Sequence, residues 1–320
     1  MSYSLVTGGA GFIGSNLVRF LLRKEEEVII VDNFSTGRSA NLEEVREHIH
    51  IVRGDVRDRD LMRELCKEVD FVYHQAALPS VARSVDNPWA TNDHNVNGTL
   101  SVFLAARDAG VQRVIYATSS SAYGDGDELP KDESMCSSPS SPYAVSKYVG
   151  ELYGAVFNDV YDIETVGLRY FNVFGPRQDP SSEYAAAIPK FIDRYLREEP
   201  PVIYGDGEQT RDFTFIENVV QANWKAANVP AETVNGEVFN VGCGDQVSVN
   251  RLVKMLKEIT GAEVDPVYEA PRPGEVRHSQ ASIEKARDAF GYQPQVEIQE
   301  GLQRTVEWFE SVRGEALRNS

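Results

Sequence analysis

The segment Gly8-Gly9-Ala10-Gly11-Phe12-Ile13-Gly14 constrains the fold of this chain more than any other. It lies between a short apolar run, Tyr3–Thr7, and a stretch of helical spacing, Phe12–Arg23, whose apolar residues include Phe12, Ile13, Leu17, Phe20 and Leu21. Glycines spaced GxxGxxG between strand and helix permit a tight turn, close approach of backbone to a pyrophosphate, and close helix–strand contact. The helix start then offers N–H groups and the positive end of its dipole to phosphate oxygens. A run of β-branched residues, Glu27–Val31, follows and ends at Asp32, eighteen residues after Gly14. A carboxylate at that place accepts from both ribose hydroxyls of an adenosine and repels a 2′-phosphate. Glycines alone mark many structural turns. Strand, glycines, helix, strand and terminal acid together specify a dinucleotide site, and Asp32 selects NAD over NADP. Arg38 is the neighbour whose chemistry would suit a 2′-phosphate instead.

The same alternation continues. Strands are expected at Ile49–Arg53, Phe71–His74, Val114–Thr118 and Val166–Tyr170, with helices around Arg59–Lys67, Asn95–Ala109 and Ala144–Val160. Strands apolar on both faces with helices between them argue for a parallel sheet covered on both sides. The fold class is therefore α/β, a doubly wound, Rossmann-like sheet. After Tyr170 the rhythm loosens. Pro and Gly cluster at 175–180, 200–207 and 269–274, between helices expected at Ala187–Arg197, Ile216–Asn228, Val249–Ile259, Ser282–Phe290 and Glu300–Glu310. This reads as a cofactor domain over 1–170 and a smaller mixed lobe over 171–320, with about 214–242 packing back on the first domain.

Charge narrows the partners. The chain of 320 residues carries 49 acidic and 32 basic side chains, a net charge of −17, so a nucleic-acid footprint is not expected. Only nine of the basic residues are lysine. An acid-rich, lysine-poor surface suits a salty cytoplasm, and codon bias or simple solvation explains it equally well. Any anionic ligand must be gripped by local groups. Cys66, Cys136 and Cys243 are scattered and form no CxxC, which fits a reducing, cytoplasmic setting and no metal module. The sequence shows neither a membrane-length apolar run nor a signal-peptide pattern at its start.

Tyr143-Ala144-Val145-Ser146-Lys147 reads YxxxK, which sets both functional side chains on one helix face. A phenol with a pKa near about 10 is a poor base at neutral pH. A neighbouring ammonium and a cationic nicotinamide both favour its phenolate. Alone the pair is common by chance. Ser119, Ser120 and Ser121 follow the strand Val114–Thr118, and the carboxyl end of a parallel strand is where such folds carry reactive groups. One of these hydroxyls can share a substrate oxygen with Tyr143 and pass its proton.

Taken together, TGGAGFIGSNL, Asp32-Asn33, GDVRD, HQAA, NVNGT, SSSAYGD, SPYAVSKYVGE, LRYFNVFGPRQ, RDF and RPGEVRHS resemble the extended short-chain dehydrogenase/reductase family. Within it the chain is most similar to the UDP-hexose 4-epimerases, and most of all to the branch acting on UDP-N-acetylhexosamines. The resemblance implies that Tyr143 is the base for the sugar O4 hydroxyl, tuned by Lys147, with Ser119 at the Ser/Thr position and Ser120 beside the sugar. It implies an NAD site lined by Gly8, Gly11, Phe12, Ile13, Gly14, Asp32, Asn33, Asp55, Val56, Ala76, Ala77, Asn95, Tyr143, Lys147 and Tyr170. Ser121, Asn172, Ala186, Arg211 and Ser279 would hold the UDP-sugar, with Arg83, Arg272 and Glu275 toward its diphosphate end. A homodimer through a four-helix bundle of 95–109 and 144–160 is implied as well.

Sibling chemistries are separable. Relatives that eliminate water carry an Asp-Glu pair after the Ser/Thr, and Ser120 and Ser121 stand there instead. UDP-glucuronate 4-epimerases or decarboxylases need a cation for the sugar carboxylate, for which Arg177 and Arg277 are the candidates. A non-catalytic, NAD-sensing scaffold would be expected to lose YxxxK or the hydroxyl partner, and both are present. A bulky tyrosine blocks the N-acetyl group in glucose-restricted relatives at the place of Ser279. The small Ser279, Ser121 and Ala186 leave it room, whereas Pro79 stands where glycine is frequent and narrows the wall.

Overall fold

The computed structural model describes residues 2–181, 186–271 and 277–318. Its strands are β1 Tyr3–Thr7, β2 Glu27–Asp32, β3 His50–Arg53, β4 Phe71–His74, β5 Arg113–Ser119 and β6 Glu164–Tyr170. They continue as β7 Val173–Phe174, β8 Val202–Tyr204, β9 Thr210–Arg211, β10 Thr214–Phe215, β11 Glu237–Val241, β12 Val247–Ser248 and β13 Val267–Glu269. The helices are α1 Phe12–Arg23, α2 Arg59–Cys66, α3 Val81–Asp86, α4 Pro88–Asn92, α5 Gly98–Ala109, α6 Pro142–Tyr161, α7 Ala187–Leu196, α8 Ile216–Ala227, α9 Val249–Thr260, α10 Glu284–Phe290 and α11 Ile298–Arg318.

Seven strands form one sheet in the order β11-β6-β5-β4-β1-β2-β3, every pairing parallel. The order reverses between β1 and β4, and a ligand crevice opens outside the carboxyl ends at that switch point. Leu5, Val6, Ile30, Val31, Val72, Val114 and Ile115 are buried, which is the two-sided cover that the continuous apolar runs call for. β11 closes the β6 side of this sheet, pairing from Glu237↔Val166 to Val241↔Tyr170. The remaining short strands form three two-stranded pairs, β10-β7, β12-β9 and β13-β8.

Local chemistry sets several boundaries. α6 starts where Ser141 caps Ala144 N–H and Pro142 occupies the first turn. α2 starts at Asp58, whose carboxylate accepts from the Asp60 and Leu61 amides. α5 stops at Gly110, whose φ of 72° is left-handed. The helix expected over 95–109 differs in one respect: its first turn, Asp93–Asn97, is π-helical and is continuous with α4 before it and α5 after it. An inserted residue of this kind re-aims side chains and recurs at functional sites.

Candidate active site

The crevice at the switch point is a groove of about 230 Å3, lined by Gly8, Gly11, Phe12, Ile13, Gly14, Asp32, Asn33, Asp55, Val56, Ala76, Ala77, Tyr143, Lys147 and Tyr170, among others. The glycine turn is built for close approach. Gly8 has φ of 68°, and a Cβ there would sit 2.8 Å from Ala76 Cα. A Cβ on Gly14 would meet Gly8 O at 2.2 Å, so the helix start lies directly on the turn. Gly11 N–H donates to Gly8 O at 3.0 Å. No side-chain cap covers the beginning of α1, which leaves its first amides to a ligand.

Asp32 closes β2 with its carboxylate accepting from Ala10 N–H at 2.9 Å and Phe34 N–H at 2.7 Å. Burial raises its pKa, and those two amides oppose the rise. Asp55 is gripped on both oxygens by Arg57, at 2.9 and 2.7 Å, and by Asn33 at 2.8 Å. These donors hold its carboxyl far below the usual carboxylate range. Arg38, the candidate for a 2′-phosphate, turns away: its guanidinium donates to Asp179 at 2.5 Å and Ser181 at 2.9 Å.

Asn95, which the resemblance places at the NAD site, stands directly behind the groove wall at Leu78. It is buried at the π-helical turn, and its amide faces protein on every side. Its Oδ1 accepts from Leu78 N–H at 2.7 Å, while Nδ2 donates to Leu78 O at 3.1 Å and to Ser146 Oγ at 3.0 Å. It thus ties the groove wall at Leu78 to α6 between Tyr143 and Lys147. Spacing in the sequence gives no clue to this, because the facing depends on the π turn.

Tyr143 and Lys147 emerge on one face of α6, against the end of β5. Lys147 Nζ donates to Ala117 O at 2.9 Å, and burial lowers its pKa to about 8. Burial raises the Tyr143 pKa, and a hydrogen bond with Ser119 opposes that rise. Ser121 Oγ donates to Ser119 Oγ at 2.8 Å. Ser120 and Ser121 begin the short 3-10 turn Ser120–Tyr123. A phenol, an ammonium and a hydroxyl at the mouth of a dinucleotide groove can move one proton to or from an alcohol oxygen.

A second cavity of about 590 Å3 opens in the lobe, lined by Asn172, Ala186, Lys190, Tyr204, Gln209 and Arg211, among others. Arg211 ends β9, its guanidinium donating to Thr210 O at 2.9 Å and Arg277 O at 3.2 Å. Ser279 lies beside the same strand, its N–H donating to Thr210 O at 3.1 Å. Arg83 lies half-buried on α3, outside the lining of both cavities. Arg272 and Glu275 lie outside the described residues. Sequence reasoning passed over Asp212 beside Arg211. It is buried, and its carboxylate accepts from the Cys243, Gly244 and Ala281 amides at 2.8, 2.9 and 3.1 Å, which staples the loop after β11 to the segment carrying Ser279.

Comparison with known proteins agrees with this geometry. The model of the NAD dependent epimerase/dehydratase family matches residues 4–242. A putative UDP-glucose 4-epimerase of Methanocaldococcus jannaschii is 41% identical, covering 96% of this chain and 98% of its own. The structure of a UDP-N-acetylglucosamine 4-epimerase from Methanobrevibacter ruminantium M1, in complex with UDP-N-acetylmuramic acid, superposes with a TM-score of 0.92 at 40% identity, covering 97% and 99%. A Bacillus cereus UDP-glucuronic acid 4-epimerase, in complex with UDP-glucuronic acid and NAD, gives a TM-score of 0.89 at 32% identity, covering 97% and 99%.

Proposed function

Because this chain belongs to the NAD dependent epimerase/dehydratase family, we propose that it interconverts UDP-GlcNAc and UDP-GalNAc, and also UDP-Glc and UDP-Gal, through transient oxidation at sugar C4. The observation that carries the reading is that Tyr143 and Lys147 line the glycine-built groove with Ser119 beside the phenol, while a separate lobe cavity is walled in part by the small Ala186. In this reading residues 1–170 hold the cofactor and 171–320 hold the UDP-sugar, with 214–242 returned to the first unit.

The residues present fit NAD. Gly8 and Gly14 leave no volume for a side chain where a pyrophosphate approaches, Asp32 waits at the end of β2, and Arg38 is engaged by Asp179. NAD, when bound, supplies the acceptor for the hydride from C4 and the donor that returns it. Tyr143 as phenolate takes the O4 proton. Lys147, held by Ala117 O, presents its charge to that phenolate and to the cofactor ribose. Ser119 bonds the phenol and spans to the sugar oxygen. The 4-keto sugar, tethered by its nucleotide, turns over in the cavity, and Tyr143 gives the proton back to O4.

The uronate reading has less support. Arg177 donates to Asn16 Oδ1 at 3.3 Å and Glu44 at 3.1 Å, and Arg277 pairs with Asp206 at 3.0 Å, so both candidate cations have partners already. A homodimer is part of the proposal, with α3 and α4 beside α6 in place of the 95–109 helix, which is largely buried within the chain. Val81, Val85 and Trp89 on α3 and α4, with Val145, Leu152, Val156 and Val160 on α6, form an exposed apolar surface, Trp89 being 82% exposed. A second copy related by a two-fold axis would cover it. The three cysteines are free, which suits a reducing, cytoplasmic setting.

Tyr143→Phe tests the chemistry. It should lower kcat on UDP-GlcNAc by at least about 100-fold at little change in KM. Near-wild-type turnover would overturn the assignment.

A further inference from the structure

The side chains of Glu151 and Arg169 form an ion pair that solvent barely reaches, 4% and 6% exposed. None of the chemistry above uses it. Arg169 Nε donates to Glu151 Oε1 at 2.8 Å and Nη2 to Oε2 at 2.5 Å. Thr118 Oγ1 donates to Glu151 Oε1 at 2.6 Å. The carboxylate therefore binds α6 to β5 and β6 together.

Its position on α6 matters. Tyr143, Lys147 and Glu151 are spaced by four residues and share one stripe of the helix. They meet three consecutive residues at the end of β5: Ala117 O accepts from Lys147, Thr118 donates to Glu151, and Ser119 is the polar neighbour that favours the Tyr143 phenolate. Arg169 pairs in register with Thr118, and the next pair is Ser119↔Tyr170, both members of the site. On its far side Arg169 stands 4.5 Å from the Tyr123 ring, whose hydroxyl donates to Asn240 Oδ1 of β11 at 2.7 Å. Besides Glu151, the guanidinium thus meets the Tyr123 ring and donates to Ser137 Oγ at 3.2 Å.

A buried ion pair is seldom the most stable way to fill its volume, since desolvation offsets the attraction and an apolar pair of similar size does as well or better. What it does supply is direction. Bidentate guanidinium geometry sets both distance and angle, which sliding apolar contacts do not. Elsewhere α6 is held to the sheet by Lys147 on Ala117 O and by Thr165 Oγ1 on Gly154 O, single bonds that set a distance and leave more freedom of angle than a bidentate pair does. We propose that Glu151 and Arg169 are positioning residues whose ion pair, closed by Thr118, fixes the rotation and depth of α6 at which Tyr143 and Lys147 meet Ser119 and Ala117. This rests on the epimerase reading only for the choice of assay substrate.

The test uses Glu151→Gln, which breaks the charge pairing, and the double variant Glu151→Leu/Arg169→Met, which replaces it with apolar volume. The double variant should fold with a melting temperature at or above that of wild type. Both variants should nevertheless lose roughly 100-fold in kcat, the scale of a misplacement near one ångström, with KM for UDP-glucose moving less than about two-fold. The pH at half-maximal kcat should rise, because Tyr143 loses the groups that favour its phenolate. A double variant with wild-type kcat and an unmoved pH profile would overturn the proposal and leave the pair as packing only. Should Glu151→Gln fail to fold, the double variant decides. Should wild type turn over no UDP-sugar, the functional reading fails separately. The pair is then read from the ultraviolet titration of the Tyr143 phenol in NAD-loaded protein, with Tyr143→Phe as blank. An unmoved titration in the double variant would again overturn it.

Discussion

Gly14→Ala is a one-methyl test of the cofactor cradle. The new Cβ would lie 2.2 Å from Gly8 O and 2.9 Å from both Gly8 C and Gly9 Cα, all backbone atoms. An ordinary contact needs about 3.5 Å, so α1 and the glycine turn must part by roughly 1 Å. Hydrogen bonds from the first amides of α1 to a pyrophosphate do not survive that displacement. Two bonds to a charged group, at about 1.5–3 kcal/mol each, amount to about 3–6 kcal/mol, or roughly 100-fold to 10,000-fold in affinity. Isothermal titration of cofactor-stripped protein with NAD reads this directly. Gly150→Ala on α6 is the control, since its Cβ would find Thr99 Cγ2 at an ordinary 3.8 Å and should leave NAD binding unchanged. NAD affinity within about three-fold of wild type in a folded Gly14→Ala protein would refute the cradle argument.

Other consequences follow from the same structure. Ser279→Tyr should abolish turnover of UDP-GlcNAc and spare UDP-Glc, as read by product chromatography; loss of both or of neither would contradict the gate. His74 is buried, with Nδ1 2.8 Å from Thr7 Oγ1 and Nε2 3.0 Å from Thr99 Oγ1, and burial lowers its pKa to about 3. The unfolded chain binds a proton there below about pH 6.5 while the folded protein does not, so acidification favours unfolding. Denaturant titration should show about 2 kcal/mol lost between pH 6.5 and pH 5, and His74→Gln should flatten that slope. Leu152→Arg, placed on the exposed face of α6, should shift a sedimentation profile from dimer to monomer without unfolding the chain.

The sheet is legible in the sequence because its inner strands are apolar on both faces, the edge strand His50–Arg53 being half-exposed, and helical spacing lies between them. Continuous apolar runs and helical spacing of period 3.6 then alternate from Tyr3 to Tyr170. The cofactor cradle is legible for a stronger reason: Gly8, Gly14 and Asp32 are demanded by backbone geometry and by ribose chemistry, whatever surrounds them. Legibility ends where long-range pairing decides. The bonds by which Asn95 ties Leu78 to Ser146 join residues 17 and 51 positions away. Arg38 and Arg177 read as anion ligands until Asp179 and Glu44 claim them from across the fold. The Glu151–Arg169 pin is eighteen residues apart in sequence and joins a helix to the strand after it, so no local pattern announces it. β11 is five residues long and lies far from the strand it joins, which hides its place beside β6.

The most direct measurement incubates purified protein, with no NAD added, separately with UDP-GlcNAc and UDP-Glc and resolves the products by anion-exchange chromatography. Appearance of UDP-GalNAc is the predicted result, since it requires inversion at C4, a retained cofactor and room for the N-acetyl group at once. UDP-Gal alone would keep the chemistry and contradict the reading of Ser279. Neither product, even after NAD is supplied, would contradict the central claim that Tyr143, Lys147 and Ser119 epimerise a UDP-sugar whose hexose is uncharged.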